Sequence, residues 1–106
     1  MESWQAATTS DRYTYSVIAI IFRNHPYLLR FLFEDRSPRI RFQPMELRRR
    51  AANFSSGEQL LIRVALDVWS GSGNAKIWQI LETLDADNFL NVLVALAKLR
   101  SRPSAN

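Results

Sequence analysis

Apolar positions between residues 60 and 69 form the strongest pattern in the chain. They cover about two-thirds of a helical wheel and comprise Leu60, Leu61, Ile62, Val64, Ala65, Leu66, Val68 and Trp69. The polar positions Gln59, Arg63 and Asp67 recur every four residues as one narrow stripe, along which Arg63 and Asp67 can pair. A helix that is apolar over so much of its surface is buried by neighbours on several sides.

Capping residues mark both ends of this stretch. Ser55 followed three residues later by Glu58 is a capping-box signature. Gly71 suits the left-handed residue that ends many helices. The chain is therefore predicted to fold as an all-α domain around a central helix over about residues 56 to 69.

Further helical patterns lie on both sides of the central helix, and together they predict a single domain of five to six helices. They run over about residues 12–23, 26–34, 44–53, 75–84 and 86–100, and the second and third begin with proline. Asn74 and Asp85 are the predicted N-caps of the last two helices. The stretch 70–74, rich in glycine and serine, is predicted to be a flexible loop.

Two stretches leave the choice between helix and extended chain open. Residues 13–22 combine helical spacing with β-branched and aromatic side chains, so they fit a helix or a strand. Residues 39–43 alternate polar and apolar side chains, which permits a short extended segment. Residues 1–11 are expected to be frayed, residues 12–100 to form the domain, and residues 101–106 to be a flexible tail.

The predicted last helix is apolar over roughly 220° of its circumference, which is more than one neighbouring helix covers. Its expected exposed side chains are Asp87, Asn88, Asn91, Ala95 and Lys98. A domain of 106 residues has few fully internal helices, so part of this apolar surface is expected to meet another protein chain. The candidate interface residues are Trp69, Trp78, Phe89, Leu90 and Val94.

Composition excludes several kinds of site. The chain has no cysteine, so disulfides, thiolate nucleophiles and thiolate zinc ligands are excluded, and the cytoplasm is the expected location. No unbroken apolar run exceeds six residues, which is too short for a membrane span. Apolar residues make up 47% of the chain, which is within the range of globular domains.

Charge is distributed unevenly along the chain. The formal net charge is +4, and the first 54 residues carry all of it, with nine arginines against five acids. A candidate surface for a nucleic acid or an acidic protein consists of six arginines within fifteen residues: Arg36, Arg39, Arg41, Arg48, Arg49 and Arg50. The alternative is a solvated turn and helix face, partly neutralised by Glu34, Asp35 and Glu46.

No group of residues fits a catalytic, cofactor or metal site. His25 is the only histidine and stands at a predicted helix start, where a capping or surface role fits better than catalysis. Asp85, Asp87 and Asn88 lack the glycine and the terminal acid of a calcium loop. The glycines at 71–73 lack the preceding strand and the Lys-Ser/Thr pair of a phosphate-binding loop. We therefore expect no enzyme activity, cofactor, metal or small-molecule substrate.

These features favour a non-enzymatic interaction module that self-associates, or docks on a larger protein or nucleoprotein assembly, by burying its spare apolar surface. The alternative is a small basic nucleic-acid-binding regulator, because the last two predicted helices have the spacing of a helix-turn-helix core. In that alternative the last helix would read bases, yet Asp85 and Asp87 lie at the end that should meet phosphates. The dependence of binding on salt separates the two hypotheses.

Overall fold

The computed structural model describes residues 9–34 and 37–101, and these form six α-helices. The prediction of an all-α fold with five to six helices is confirmed. In chain order the helices are α1 (Thr9–Ile21), α2 (Pro26–Leu32), α3 (Pro44–Arg50), α4 (Ser56–Ser70), α5 (Ile77–Thr83) and α6 (Ala86–Arg100).

Residues 13–22 and 39–43, for which the sequence left helix or extended chain open, adopt different structures. Residues 13–22 are helical, apart from a turn at the last of them. Helix α1 begins earlier than predicted, at Thr9. The extended segment is shorter than residues 39–43. It pairs only around Phe33 and Ile40, which form one isolated antiparallel bridge between described residues. Most of the expected frayed N-terminus and flexible tail lies outside the described residues.

Helix α4 is the centre of the fold, as its pattern predicts. It packs against α1, α2, α3 and α5. The side chain of Ser55 accepts a hydrogen bond from the Glu58 amide while Glu58 accepts one from the Ser55 amide, and Gly71 ends the helix with φ 71°. Its buried side chains are Leu60, Leu61, Ile62, Val64, Ala65 and Leu66. The predicted caps are therefore present at both ends of the helix.

The polar stripe of α4 binds the loops at both ends of the helix. One carboxylate, that of Asp67, accepts hydrogen bonds of 2.8–3.0 Å from the backbone amides of residues 73–75. Arg63 donates to the carbonyls of residues 73 and 74. Gln59 donates to the carbonyls of residues 52 and 54 before the helix. Arg63 and Asp67 were predicted to pair with each other, but both bind the backbone of the loop instead.

The loop after α4, which was predicted to be flexible, is anchored to the helix at residues 73–75. Gly73 packs so closely that a Cβ atom built on it would lie 1.7 Å from the carbonyl oxygen of Arg63. Asn74 adopts a left-handed φ of 54°, so it does not cap the next helix as predicted. Helix α5 instead begins at Ile77, and its N-cap position is held by Lys76.

Candidate interaction surfaces

Helix α6 matches the prediction only in part, because Asp87 and Lys98 are exposed as expected. Three of the side chains expected on its exposed face, Asn88, Asn91 and Ala95, are buried together with Val92. The reason is that α1 is the main neighbour of α6, and the side with small Ala95 allows the two helices to approach. The Asn88 amide also has a partner there, because its Nδ2 lies 3.2 Å from Nε2 of His25. These asparagines are therefore not available to read bases.

Apolar side chains occupy the solvent side of α6. Leu90, Leu93 and Val94 are exposed by 58%, 46% and 40%, and Ala97 completes the i, i+3, i+4, i+7 spacing of one helical stripe. We call these four residues the α6 outer face. It lies opposite the buried stripe, so no described part of the same chain covers it.

Helix α5 carries a second set of exposed apolar side chains. Ile77, Trp78 and Leu81 are exposed by 76%, 58% and 61%. A groove of about 270 Å³ has Ile80 of α5 and Leu96 of α6 in its lining. The groove shows that α5 approaches α6 near Leu96.

The five predicted interface residues divide into two groups. Trp78, Leu90 and Val94 are exposed. Trp69 and Phe89 are half-buried, and the Trp69 ring packs edge-on against Phe33 with the centroids 5.0 Å apart. The exposed group is therefore better placed to meet a partner than the half-buried group.

The arginines of α3 are exposed but share one carboxylate. Arg49 and Arg50 both form ion pairs with Glu46, at 2.5 Å and 2.8 Å. These two guanidinium groups, Arg49 first, hold the pKa of Glu46 below its ordinary value. Arg48 is exposed and makes no ion pair with the other described residues. Helix α3 therefore keeps a surplus of positive charge.

The remaining predicted arginines are held by their surroundings. Arg39 lies 3.6 Å from Glu34, and Nε of Arg41 donates to the carbonyl of Arg30 at 2.7 Å. Arg50 also stacks on the ring of Phe42, with its guanidinium carbon 3.9 Å from the centroid. Arg36 lies outside the described residues. Among the described arginines of this segment, Arg39, Arg49 and Arg50 form ion pairs, and Arg41 and Arg48 are exposed.

His25 belongs to a polar network that the sequence did not reveal. Its Nδ1 lies 3.1 Å from the Tyr27 hydroxyl, and that hydroxyl donates to a carboxylate oxygen of Glu58. This bond raises the pKa of the Tyr27 phenol and lowers the pKa of Glu58, which the Ser55 amide lowers further. His25 stands at the N-cap position of α2, but its side chain makes no capping bond there and is half-buried in this network instead.

The His25 network links helices α2, α4 and α6. It joins the start of α2 to the N-terminus of α4 through Tyr27 and to α6 through Asn88. A pocket of about 210 Å³ lies beside it, lined in part by Thr83 and Asp85. Among the described residues no three histidine or acidic side chains come together in a way that could hold a metal ion.

Comparisons with known proteins do not extend this description. Neither protein-family models, nor curated proteins, nor solved structures give a match to the chain. Within the described residues, every helix is too short or too polar to cross a membrane. The candidate function therefore depends on the surfaces themselves.

Proposed function

We propose that the protein is a non-enzymatic interaction module that docks onto another protein chain through the α6 outer face. The observation that carries the proposal is which side of α6 is buried and which side is exposed. Two asparagines occupy its buried side, and Leu90, Leu93 and Val94 occupy its exposed side. The cysteine-free composition is compatible with a cytoplasmic setting.

The energetics of apolar burial support this proposal. Covering a leucine or valine side chain contributes about 1.5–3 kcal/mol relative to leaving it in water. Single exposed apolar residues are common on monomers, but a continuous apolar stripe marks a contact surface. The α6 outer face is such a stripe, and Trp78 on α5 adds an aromatic side chain of the kind that anchors many interfaces.

Site-specific photo-crosslinking tests the proposal. A benzophenone amino acid is placed at Leu90 in the producing cell, and a matched chain carries it at Ala52. Ala52 is exposed in the turn after α3, a helix whose main neighbour is α4. We expect protein adducts from position 90, either with a second copy or with another protein, and few from position 52. Equal adduct yields at the two positions would overturn the proposal.

A second candidate function is the binding of an anionic partner, nucleic acid above all, by α3. It is favoured by the exposure of Arg48, Arg49 and Arg50. Because they are consecutive in a helix, their side chains point in different directions around α3. The ion pairs of Glu46 with Arg49 and Arg50 weaken it. Replacing all three arginines with glutamine should lower the affinity for DNA or RNA and flatten its salt dependence. Unchanged binding would make these arginines a solvated helix face.

A further inference from the structure

We infer that the chain covering the α6 outer face is a second copy of this protein, with the two α6 helices packed antiparallel about a two-fold axis. The axis passes between Leu93 and Val94. This inference rests on the proposed function and names its partner. Three features of α6 carry it: the symmetry of the apolar stripe, the sizes of its residues, and the charges beside it.

The apolar stripe is symmetric about its own midpoint. In an antiparallel pair centred between residues 93 and 94, Leu93 of one copy meets Val94 of the other, and Leu90 meets Ala97. Such an interface is isologous, because each residue and its counterpart exchange roles under the two-fold rotation. A surface that matches itself in this way needs no other protein to complete it.

The sizes of the facing residues favour the antiparallel over the parallel arrangement. When the helices are antiparallel, the large Leu90 side chain faces the small Ala97 of the other copy at both ends of the contact. When they are parallel, leucine faces leucine at one end and alanine faces alanine at the other. Large side chains opposite small ones fill the space between helices without voids, so the antiparallel pair packs more evenly.

The charges beside the stripe also favour the antiparallel arrangement. Asp87 and Lys98 are both exposed. On a helix of about 100° per residue they lie roughly 60° and 80° from Leu90, on the same side of the stripe. In the antiparallel pair, Asp87 of one copy comes within about two residues, or 3 Å of helix rise, of Lys98 of the other. In a parallel pair the two-fold axis runs along the helices and places the charged sides of the two copies on opposite edges of the contact, so this ion pair does not form.

The neighbouring helices leave room for this contact. Helix α1 borders the side of α6 that carries Lys98, because the Tyr13 hydroxyl donates to the Lys98 carbonyl at 2.8 Å. Helix α5 borders the other side near Leu96. The outer face between them is an open strip along α6. A straight helix of a second copy can therefore lie on it.

Light scattering gives the first test. At micromolar concentration we expect a mass twice the chain mass of 12.3 kDa. Replacing Leu90 with glutamate should return the mass to that of one chain while circular dichroism retains the helical signal, because Leu90 is exposed in the single chain. A wild-type mass of one chain at every concentration would overturn the inference. If position 90 then still crosslinked another protein, the proposed function would stand without it.

Cysteine crosslinking gives the orientation, since the chain has no cysteine of its own. A mixture of the Asp87→Cys and Lys98→Cys chains should join through a short bismaleimide, while each chain alone should join poorly. The Val94→Cys chain should join to itself, because it lies next to the two-fold axis. Efficient self-joining by both the Asp87→Cys and the Lys98→Cys chains would overturn the antiparallel arrangement.

Charge reversal tests the contribution of the flanking pair in chains that stay folded. Asp87→Lys alone and Lys98→Asp alone should each raise the dimer dissociation constant by about tenfold, because each creates two like-charge contacts. The double reversal should restore it to near the wild-type value. Additive weakening in the double variant would contradict the proposed pairing.

Discussion

Helices α4 and α6 are both fifteen residues long and both have broad apolar surfaces, yet the fold uses them in opposite ways. Helix α4 is surrounded by four other helices, and its polar stripe binds the loops at its ends. Helix α6 packs mainly on α1, with Asn88 and Asn91 inward beside apolar Val92 and Ala95, and it has an apolar stripe outward. The width of an apolar arc therefore shows how much cover a helix needs, but not which chain provides it.

Truncating one leucine in each helix should give the largest difference in unfolding free energy between α4 and α6. Leu61 of α4 is 1% exposed, so Leu61→Ala should leave a cavity and cost about 2–5 kcal/mol of unfolding free energy. Leu90→Ala on the outer face should change it by less than about 0.5 kcal/mol in the single chain. Denaturant melts at low protein concentration measure both. Equal losses would mean that α6 is covered within its own chain.

Two glycines at the ends of α4 offer the next contrast. Gly73→Ala should cost about 3 kcal/mol, because its Cβ would collide with the α4 backbone. Gly57, in the first turn of α4, has nothing within 4 Å of its Cβ position. Gly57→Ala should therefore stabilise the fold by up to about 1 kcal/mol, through a smaller entropy loss on folding. Thermal melts of the two variants should shift in opposite directions.

Two aspartates allow a polar position of α4 to be compared with a polar position of α6. Asp67 of α4 accepts three backbone hydrogen bonds from the anchored loop, and Asp67→Ala should cost about 2 kcal/mol. Asp87, exposed in the first turn of α6, should cost about 0.5 kcal/mol when replaced by alanine, through the helix dipole. Chemical denaturation of the two variants measures the difference. A mild effect at Asp67 would mean that the loop does not depend on its carboxylate.

The smallest effect should appear in the pH dependence of stability. Glu58 has a lowered pKa in the folded chain, because Tyr27 and then the Ser55 amide donate to it. Its contribution is present above the ordinary pKa of 4.5 and is lost as pH falls through the lowered pKa. The raised pKa of Tyr27 contributes below 10.0 and is lost as pH rises through the raised value.

Replacing Tyr27 with phenylalanine removes the bond responsible for both shifts. We expect the stability of the Tyr27→Phe chain to fall less steeply than that of the wild type at the acid end and at the alkaline end. Denaturant melts across the pH range measure this. Parallel stability curves for the two chains would show that the Tyr27–Glu58 bond contributes nothing in solution.

The sequence was sufficient for features that depend on local pattern. The capping box of Ser55 and Glu58, the left-handed Gly71 and the apolar surface of α4 can all be recognised from neighbouring residues, and the structure contains each of them. The Asp85 cap of α6 is also present, accepting from the Asn88 amide. Local hydrogen bonds and helical periodicity decide these features, so the linear sequence contains the relevant information.

The features that the sequence missed depend on distant contacts. A helical wheel placed Asn88 and Asn91 on the exposed side, because it cannot show which side of α6 packs against α1. It also cannot show that the His25 ring lies within hydrogen-bond distance of Asn88. It also assigned Arg63 and Asp67 to each other, because the approach of the Gly73 backbone to α4 is set by tertiary packing. The sequence named Leu90 and Val94 of the α6 outer face as interface candidates, but only the fold shows that they are exposed together with Leu93.

Carbene footprinting over a dilution series tests most directly whether a second chain covers the α6 outer face. A photoactivated carbene labels accessible side chains, and mass spectrometry then compares the α6 stripe at Leu90, Leu93 and Val94 with the buried α4 residues. We predict that labelling of the stripe falls as protein concentration rises through the dimer range, while labelling of α4 stays low throughout. Labelling of the stripe that stays high and constant at all concentrations would contradict the account.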